Sequence, residues 1–385
     1  MQYGVEGAEI RVATGAATCP SAEVDGKTLA LRERSAPGPD FPVRVCAVSL
    51  PGGAKSASVG GESLPLPKAR PQKILLIGDT GCRISNLQAQ ACNDPHAWPF
   101  ADGSIAAARD VPDLVIHVGD FHYRERACPL ADKGCKDSPY GDTWKVWTAD
   151  FFDPARPLLK AAPWVMVRGN HEECGRGGKG WSRALDPYPF RSATGCLGLG
   201  EPFPVDLGGV TLFVMDTSTA GEVRINAEQA ARYRTQFDSM ARLAPAGPIW
   251  IAAHRPIRSV AARLLNIAVG GNATLAAASP AIPDRVDLLL AGHLHTFQIL
   301  DFAEPHPVQV VSGNGGNELH LTASNQPAGL SVHGLTIREG RGASGVFGYA
   351  MLERGADDGW RIAARSYDGK TLVECGLAGR RIDCR

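Results

Sequence analysis

Several things are missing from this sequence, and each absence narrows what the chain can do. Excess charge is missing: 40 Lys and Arg balance 40 Asp and Glu across 385 residues, and the pI is near 7.1. Without net positive charge there is no long-range pull toward nucleic acid or an anionic membrane, and neither is expected as a partner. No run of about eighteen apolar residues occurs, so no segment reads as a membrane-spanning helix. The longest apolar stretch, 266–282, is interrupted by Gly270-Gly271-Asn272 and Pro280. A signal peptide is not legible either, because residues 1–12 carry acidic side chains and no apolar core. An exported chain with this beginning would be a mature form. Internal repeats and low-complexity tracts are also lacking.

The ten cysteines include no C-x-x-C pair, which removes the usual zinc-finger and thioredoxin spacings. An even and high count reads instead as a disulfide framework, and hence as a secreted or periplasmic protein. Connectivity is open, since ten cysteines allow about 945 pairings. Nearest neighbours are the first expectation: Cys19 with Cys46, Cys82 with Cys92, Cys128 with Cys135, Cys174 with Cys196, and Cys375 with Cys384. Asn272-Ala273-Thr274 fits a glycosylation acceptor.

Hydrophobic content of 44% is ample for a large core. Residues 1–70 read as a small β-rich N-terminal domain or arm, with alternating strands at 9–12, 27–32 and 43–48 between Pro, Gly and Ser clusters. Leu64-Pro65-Leu66-Pro67 opens an extended linker, and residues 71–385 read as the catalytic domain. There, strands are expected at 73–77, 114–118, 164–167, 211–215, 248–252, 287–290, 297–301 and 308–311. Helices are expected over 103–109, 142–152 and 226–243, with a weaker one over 258–267. Alternation of the two predicts α/β layering, with part of the sheet antiparallel where strands crowd together. Residues 313–345 read as loops, and a meander follows, turning at Asp368-Gly369.

Two apolar runs end in Gly78-Asp79 and Gly119-Asp120. In open α/β sheets chemistry sits past the carboxyl ends of strands, so two carboxylates reach one edge. Held together they repel unless a proton or cation lies between them. Three further segments that follow strands carry metal-ligand chemistry: Gly169-Asn170-His171-Glu172, Ile251-Ala252-Ala253-His254 and Gly292-His293-Leu294-His295. The His293-Leu294-His295 alternation puts both imidazoles on one face if extended. Carboxylates, imidazoles and a carboxamide suit a two-metal centre. Tyr123 is an unusual ligand, because a phenol keeps its proton to about pH 10, and ionising it near neutrality points to trivalent iron.

The order Asp-x-Gly, Gly-Asp-x-x-Tyr, Gly-Asn-His-Glu, Val-x-x-His, Gly-His-x-His resembles the purple acid phosphatases, within the calcineurin-like metallophosphoesterase superfamily. The resemblance covers about 73–312, with Ile251 in place of the valine. Gly81 stands where most of the superfamily has a histidine, and Tyr123 replaces it as ligand. The resemblance implies a four-layer α/β/β/α metallophosphoesterase sandwich holding two metal ions. Fe(III) would take Asp79, Asp120, Tyr123 and His295. A divalent ion (Fe, Zn or Mn) would take Asp120, Asn170, His254 and His293. His171 matches a substrate-contacting histidine, as leaving-group acid or phosphate anchor, and the nucleophile would be a metal-bound hydroxide. His122, Arg83 and Arg255 lie next to ligands and are candidate substrate contacts, while Glu172 is expected to orient a ligand. Cys82 and Cys174, beside ligand segments, would pin two site loops if paired with Cys92 and Cys196; pairing with each other is the alternative. The expected reaction is hydrolysis of a small phosphate monoester at acidic pH. A phosphodiesterase or phosphotriesterase would use the same centre. A non-catalytic binding module is opposed by the complete ligand set.

Overall fold

The computed structural model describes residues 1–385 apart from 130–131, 193–194, 266 and 357–358. Its layering follows from side-chain alternation along the central strands. In Lys73–Ile77, Ile74 and Leu76 enter one core while Leu75 and Ile77 enter another. In Ile249–Ala252, Trp250 and Ala252 join that first core while Ile249 and Ile251 join a third. Successive residues of a strand face opposite ways, so two sheets share the first core and each covers its far face separately. The far face of one is covered by helices Phe100–Arg109 and Arg156–Ala161, and that of the other by Ala227–Leu243 and Ala273–Ala278. The order is helix, sheet, sheet, helix.

Among the described residues the strands form sheets of eleven, ten and four. In the largest, Lys73–Ile77, Leu114–His117 and Trp164–Met166 run parallel, and Gly348–Arg354 closes on Lys73–Ile77 antiparallel. In the second, Thr211–Val214, Ile249–Ala252, Val286–Ala291 and Val308–Ser312 are parallel, and Phe297–Phe302 is antiparallel to the last. The parallel strands of both sheets end at one edge, where the expected ligands begin.

Residues 1–70 divide between two sheets. Gln2–Gly4 pairs parallel with Trp164–Met166, and Gly7–Thr14, Arg44–Ser49 and Arg32–Ser35 continue the large sheet outward. Ser21–Val24, Lys27–Ala30, Ala57–Val59 and Glu62–Ser63 form the four-stranded sheet over a core that includes Ile10, Val24, Leu31 and Cys46. The large sheet thus runs on across the expected boundary at residue 70. Arg34 adds a tether, donating to the carbonyls of Arg183 at 3.0 Å and Tyr188 at 2.6 Å.

Three local expectations change. The weak helix over 258–267 is replaced by a hairpin of Ala262–Leu264 and Ile267–Val269, with Leu265 at φ +56°; residue 266 lies outside the described residues. The loop-rich stretch contains the strand Leu335–Ala343, paired with Phe297–Phe302. Asn272 is buried and caps Ala273–Ala278 by accepting from the Leu275 N–H at 2.9 Å, so its carboxamide is closed to a glycosylating enzyme. Asn226 caps the long helix as expected, accepting from the Gln229 N–H. The five disulfides join nearest neighbours, and none of the described cysteines is free. Among the described residues no helix is long and apolar enough to cross a membrane.

Candidate metal centre

The strand ends deliver their side chains through strained turns. Asp79, Asp120 and His293 have left-handed backbones, with φ of +57°, +60° and +68°. Such conformations cost of order 1–3 kcal/mol and persist where the surroundings impose them. Neighbouring glycines make room. A Cβ on Gly169 would lie 2.1 Å from Asp120 Oδ1, and one on Gly292 would lie 2.5 Å from Asp79 Oδ2. A Cβ on Gly81 would meet the Phe121 carbonyl at 2.7 Å and Tyr123 Cδ2 at 3.0 Å. A side chain at 81 would thus be opposed first by the Phe121 carbonyl and would also crowd the Tyr123 ring.

All seven expected ligands converge. Tyr123 Oη lies 2.9 Å from Asp79 Oδ1, 2.7 Å from Asp120 Oδ2 and 3.1 Å from His295 Nε2. On the other flank, His254 Nε2 lies 3.2 Å from Asp120 Oδ2, 3.0 Å from Asn170 Oδ1 and 3.2 Å from His293 Nδ1. Asp120 faces both groups. His293 and His295 do not share a face of an extended strand; the left-handed turn at His293 sends them to opposite flanks.

Two buried carboxylates hold this arrangement from behind. Glu172 accepts from the N–H groups of Asp120, Phe121, His122 and Gly169 at 2.8–3.1 Å. It orients backbone rather than a ligand side chain. Asp150, which sequence reasoning missed, accepts from the N–H groups of Cys82, Tyr123 and Arg124 and from Arg124 Nε. The Cys82–Cys92 and Cys174–Cys196 bridges fix the loops after Asp79 and Asn170.

His171 rests on the Tyr123 ring at 3.8 Å between centroids, with Nε2 3.9 Å from Asp120 Oδ2. Its Nδ1 lies 3.0 Å from Glu125 Oε1, and Arg176 Nη2 is within 2.9 Å of its ring nitrogens. Burial pulls its pKa down to about 4, against the pull of Asp120 and Glu125. Burial would raise Glu125, but hydrogen bonds from His171 and Arg176 outweigh it and bring the carboxyl to about 2. Arg255 stands at the mouth, 2.6 Å from Glu222 and 3.3 Å from His293 Nε2. Arg83 lies 4.8 Å over the Tyr123 ring. His122 is a correction: it is buried, its Nε2 sits 3.0 Å from the Gly141 carbonyl and its ring faces Trp147, so it does not join the cluster. Glu125 and Arg176 lie just past two of the ligand segments, while Glu222 and His320 come from loops whose sequence carries no motif. The last accepts the His295 N–H on Nδ1 at 2.9 Å.

The donor set fits metal ions. His254 Nδ1 donates to the Val118 carbonyl at 2.7 Å and His295 Nδ1 to the Glu318 carbonyl at 2.6 Å. Their Nε2 lone pairs are thereby turned inward onto carboxylates and a carboxamide oxygen, acceptor against acceptor. Such a cluster calls for positive charge. Burial alone would lower His254, yet Asp120 and Asp79 raise it to about 9. Tyr123 is pushed well above its usual range by burial and by Asp120 and Asp79, so only a strong cation can ionise it. Asp120, His254 and His293 offer ligand atoms within 4.8 Å of one another.

Comparison with known proteins agrees with this picture. The calcineurin-like phosphoesterase family model matches residues 72–297. A purple acid phosphatase from yellow lupin (Lupinus luteus) seeds is similar in structure, with TM-score 0.58 and 14% identity over 96% of this chain and 72% of that one. A protein named PhoD is similar with TM-score 0.57 and 12% identity, over 100% of this chain and 90% of that one. At such identities the likeness speaks for the fold alone. No curated protein matches the chain.

Proposed function

Because the chain belongs to the calcineurin-like phosphoesterase family and is a metal-dependent phosphoesterase, we propose that it hydrolyses small phosphate monoesters at acidic pH. The centre in this reading holds Fe(III) through Asp79, Asp120, Tyr123 and His295. It holds a divalent ion (Fe, Zn or Mn) through Asp120, Asn170, His254 and His293. The observation that carries it is Tyr123 Oη, set among Asp79, Asp120 and His295. When bound, two ions neutralise the ester's charge and activate water for in-line displacement.

The chain's own residues do the rest. Glu172 and Asp150 hold the turns that carry Asp120 and Tyr123, so the acceptors are aimed before substrate arrives. His171, fixed between Glu125 and Arg176 beside the cluster, anchors the phosphate or hands a proton to the departing alcohol. Arg255, at the open flank, binds a phosphate oxygen. The five disulfides support a secreted or periplasmic setting. Neither nucleic acid nor a membrane is a partner in this reading, and residues 1–70 are a β-rich N-terminal unit that shares the large sheet with the catalytic domain.

Tyr123→Phe tests the proposal. A phenolate on Fe(III) absorbs in the visible, so the iron-loaded protein is expected to be violet and the variant colourless, with activity largely retained. An iron-loaded wild type without a visible band removes Fe(III)–tyrosinate and leaves a phosphoesterase of two divalent ions. Aryl mono-, di- and triesters assayed side by side decide the ester class.

A further inference from the structure

We infer that Arg83 tunes the metal centre through Tyr123. Its guanidinium, held over the phenol ring, stabilises the phenolate and makes it a weaker electron donor. The ion that Tyr123 binds is left more electron-poor, and so a stronger Lewis acid toward the ester. The inference rests on the Fe(III)–tyrosinate reading above and adds a positioning residue to it. Arg83 Cζ lies 4.8 Å from the Tyr123 ring centroid, while the other ligand atoms of that flank gather around Oη, at one end of the ring. A charge over the ring acts on the donor more than on the ion it feeds.

Two observations make this a built contact. The first is how firmly the side chain is placed. Arg83 Nε donates to Asn317 Oδ1 at 3.0 Å, and the Asn317 N–H donates to the carbonyl of Asp79, itself a ligand, at 2.9 Å. The Arg83 N–H donates to Gln90 Oε1 at 3.1 Å, and its carbonyl accepts from the Gln90 N–H at 2.8 Å. Asn317 and Gln90 are buried, and the Cys82–Cys92 bridge closes the loop. The second observation is charge. Arg124, Arg168, Arg176 and Arg255 each meet a carboxylate, of Asp150, Asp216, Glu125 and Glu222. Arg83 has no carboxylate partner among the described residues, and its Nε is bonded to a neutral amide. Its field is therefore not cancelled where it meets the ring. Burial, Asp120 and Asp79 oppose a phenolate at Tyr123, and Arg83 favours it.

The test uses the full chain loaded with iron and reads the visible band. In Arg83→Gln the phenolate holds its electrons less tightly, so the maximum should move to longer wavelength. A shift of about 10–20 nm is expected from a unit charge nearer the ring than the ion, at an effective dielectric of about 20. Arg83→Lys restores the charge and should return the band toward the wild-type position. Resonance Raman lines of the phenolate should persist in both variants, showing Tyr123 still bound. kcat should fall in Arg83→Gln with KM little changed, and recover in Arg83→Lys. Asn317→Asp sets a carboxylate against Arg83 and should move the band the same way as Arg83→Gln; it decides the question if Arg83→Gln does not fold. A band that stays in place in Arg83→Gln, or moves equally in Arg83→Gln and Arg83→Lys, overturns the inference and leaves Fe(III)–tyrosinate standing. A rise in KM with the band unmoved makes Arg83 a substrate contact and overturns it too. Iron-loaded wild type without a visible band sinks the Fe(III)–tyrosinate reading itself, and this inference with it.

Discussion

The two flanks of the metal cluster are built differently. The Tyr123 flank is sealed: Asp79 is 0% and Tyr123 1% exposed, and its loops are fastened by backbone bonds to Asp150 and by the Cys82–Cys92 bridge. The His293 flank is open. The His293 side chain is 22% exposed and leans on Glu222, itself 46% exposed. The first flank is buried throughout; on the second, His254 is buried and donates to the Val118 carbonyl, while His293 and its partner Glu222 touch water. An ion on the sealed flank should stay for the life of the fold. An ion on the open flank should exchange with its surroundings.

The largest effect expected is from His171→Ala, which removes a group packed on the sealed flank. The rate should fall roughly 10²–10⁴-fold, the range for a positioned acid or base, with both metals retained and poorer leaving groups hit hardest. Metal analysis that finds the sealed ion lost would make His171 a structural prop of that flank. Asp150→Asn comes next. It leaves the buried Arg124 uncompensated, and removing one partner of a buried pair costs about 3–5 kcal/mol. Denaturant unfolding should show this, and the visible band should weaken before the open-flank ion is lost.

Glu222→Gln is expected to act on the open flank alone. Partners behind a ligand typically contribute 10–100-fold in affinity, so competition with a chelator should release the divalent ion roughly 10-fold more readily, with colour unchanged. If both ions leave together, the flanks are not independent and the comparison fails. A separate effect, read only as a slope against pH, lies away from both. His306 donates Nδ1–H to the Pro307 carbonyl and accepts from Arg258 on Nε2, and burial followed by the Arg258 charge lowers it to about 3. An unfolded histidine titrates near 6.5, so between about pH 6.5 and 3 the unfolded chain binds the extra proton. The stability His306 contributes is complete above about pH 6.5. It is lost as pH falls toward about 3, by up to ~1.4 kcal/mol per unit. Unfolding curves of His306→Gln from pH 7 to 4 should be flatter than wild type by that amount. Equal slopes would show that acid sensitivity comes from elsewhere, the cluster included.

The convergence of the seven expected ligands was legible because each follows a glycine-bounded apolar strand, and strands in one sheet end at one edge. His122 was misread because neighbouring residues in a turn can point to opposite sides, which sequence adjacency hides. Asp150 and Glu222 were invisible because each reaches the site from a segment with no repeat or motif of its own, and Glu125 because it stands two residues past the last ligand of its segment. Leu335–Ala343 escaped because Arg338, Glu339, Gly340, Arg341 and Gly342 carry no apolar alternation, and its pairing with Phe297–Phe302 is settled by a partner distant in sequence. The same holds for Gln2–Gly4, whose place beside Trp164–Met166 nothing in its three residues announces.

That sheet order has a consequence in time. Lys73–Ile77, which hands Asp79 to the centre, lies between Leu114–His117 and Gly348–Arg354. Its second neighbour is made roughly 270 residues after it, about 15–50 s later at ordinary rates of synthesis. Throughout that interval the strand bearing the first ligand has one bare edge, and an edge of unpaired backbone invites other chains. The nascent protein must be kept from its neighbours until Gly348–Arg354 arrives. Ribosome stalling or truncation before that point is therefore expected to yield aggregates rather than a smaller working enzyme.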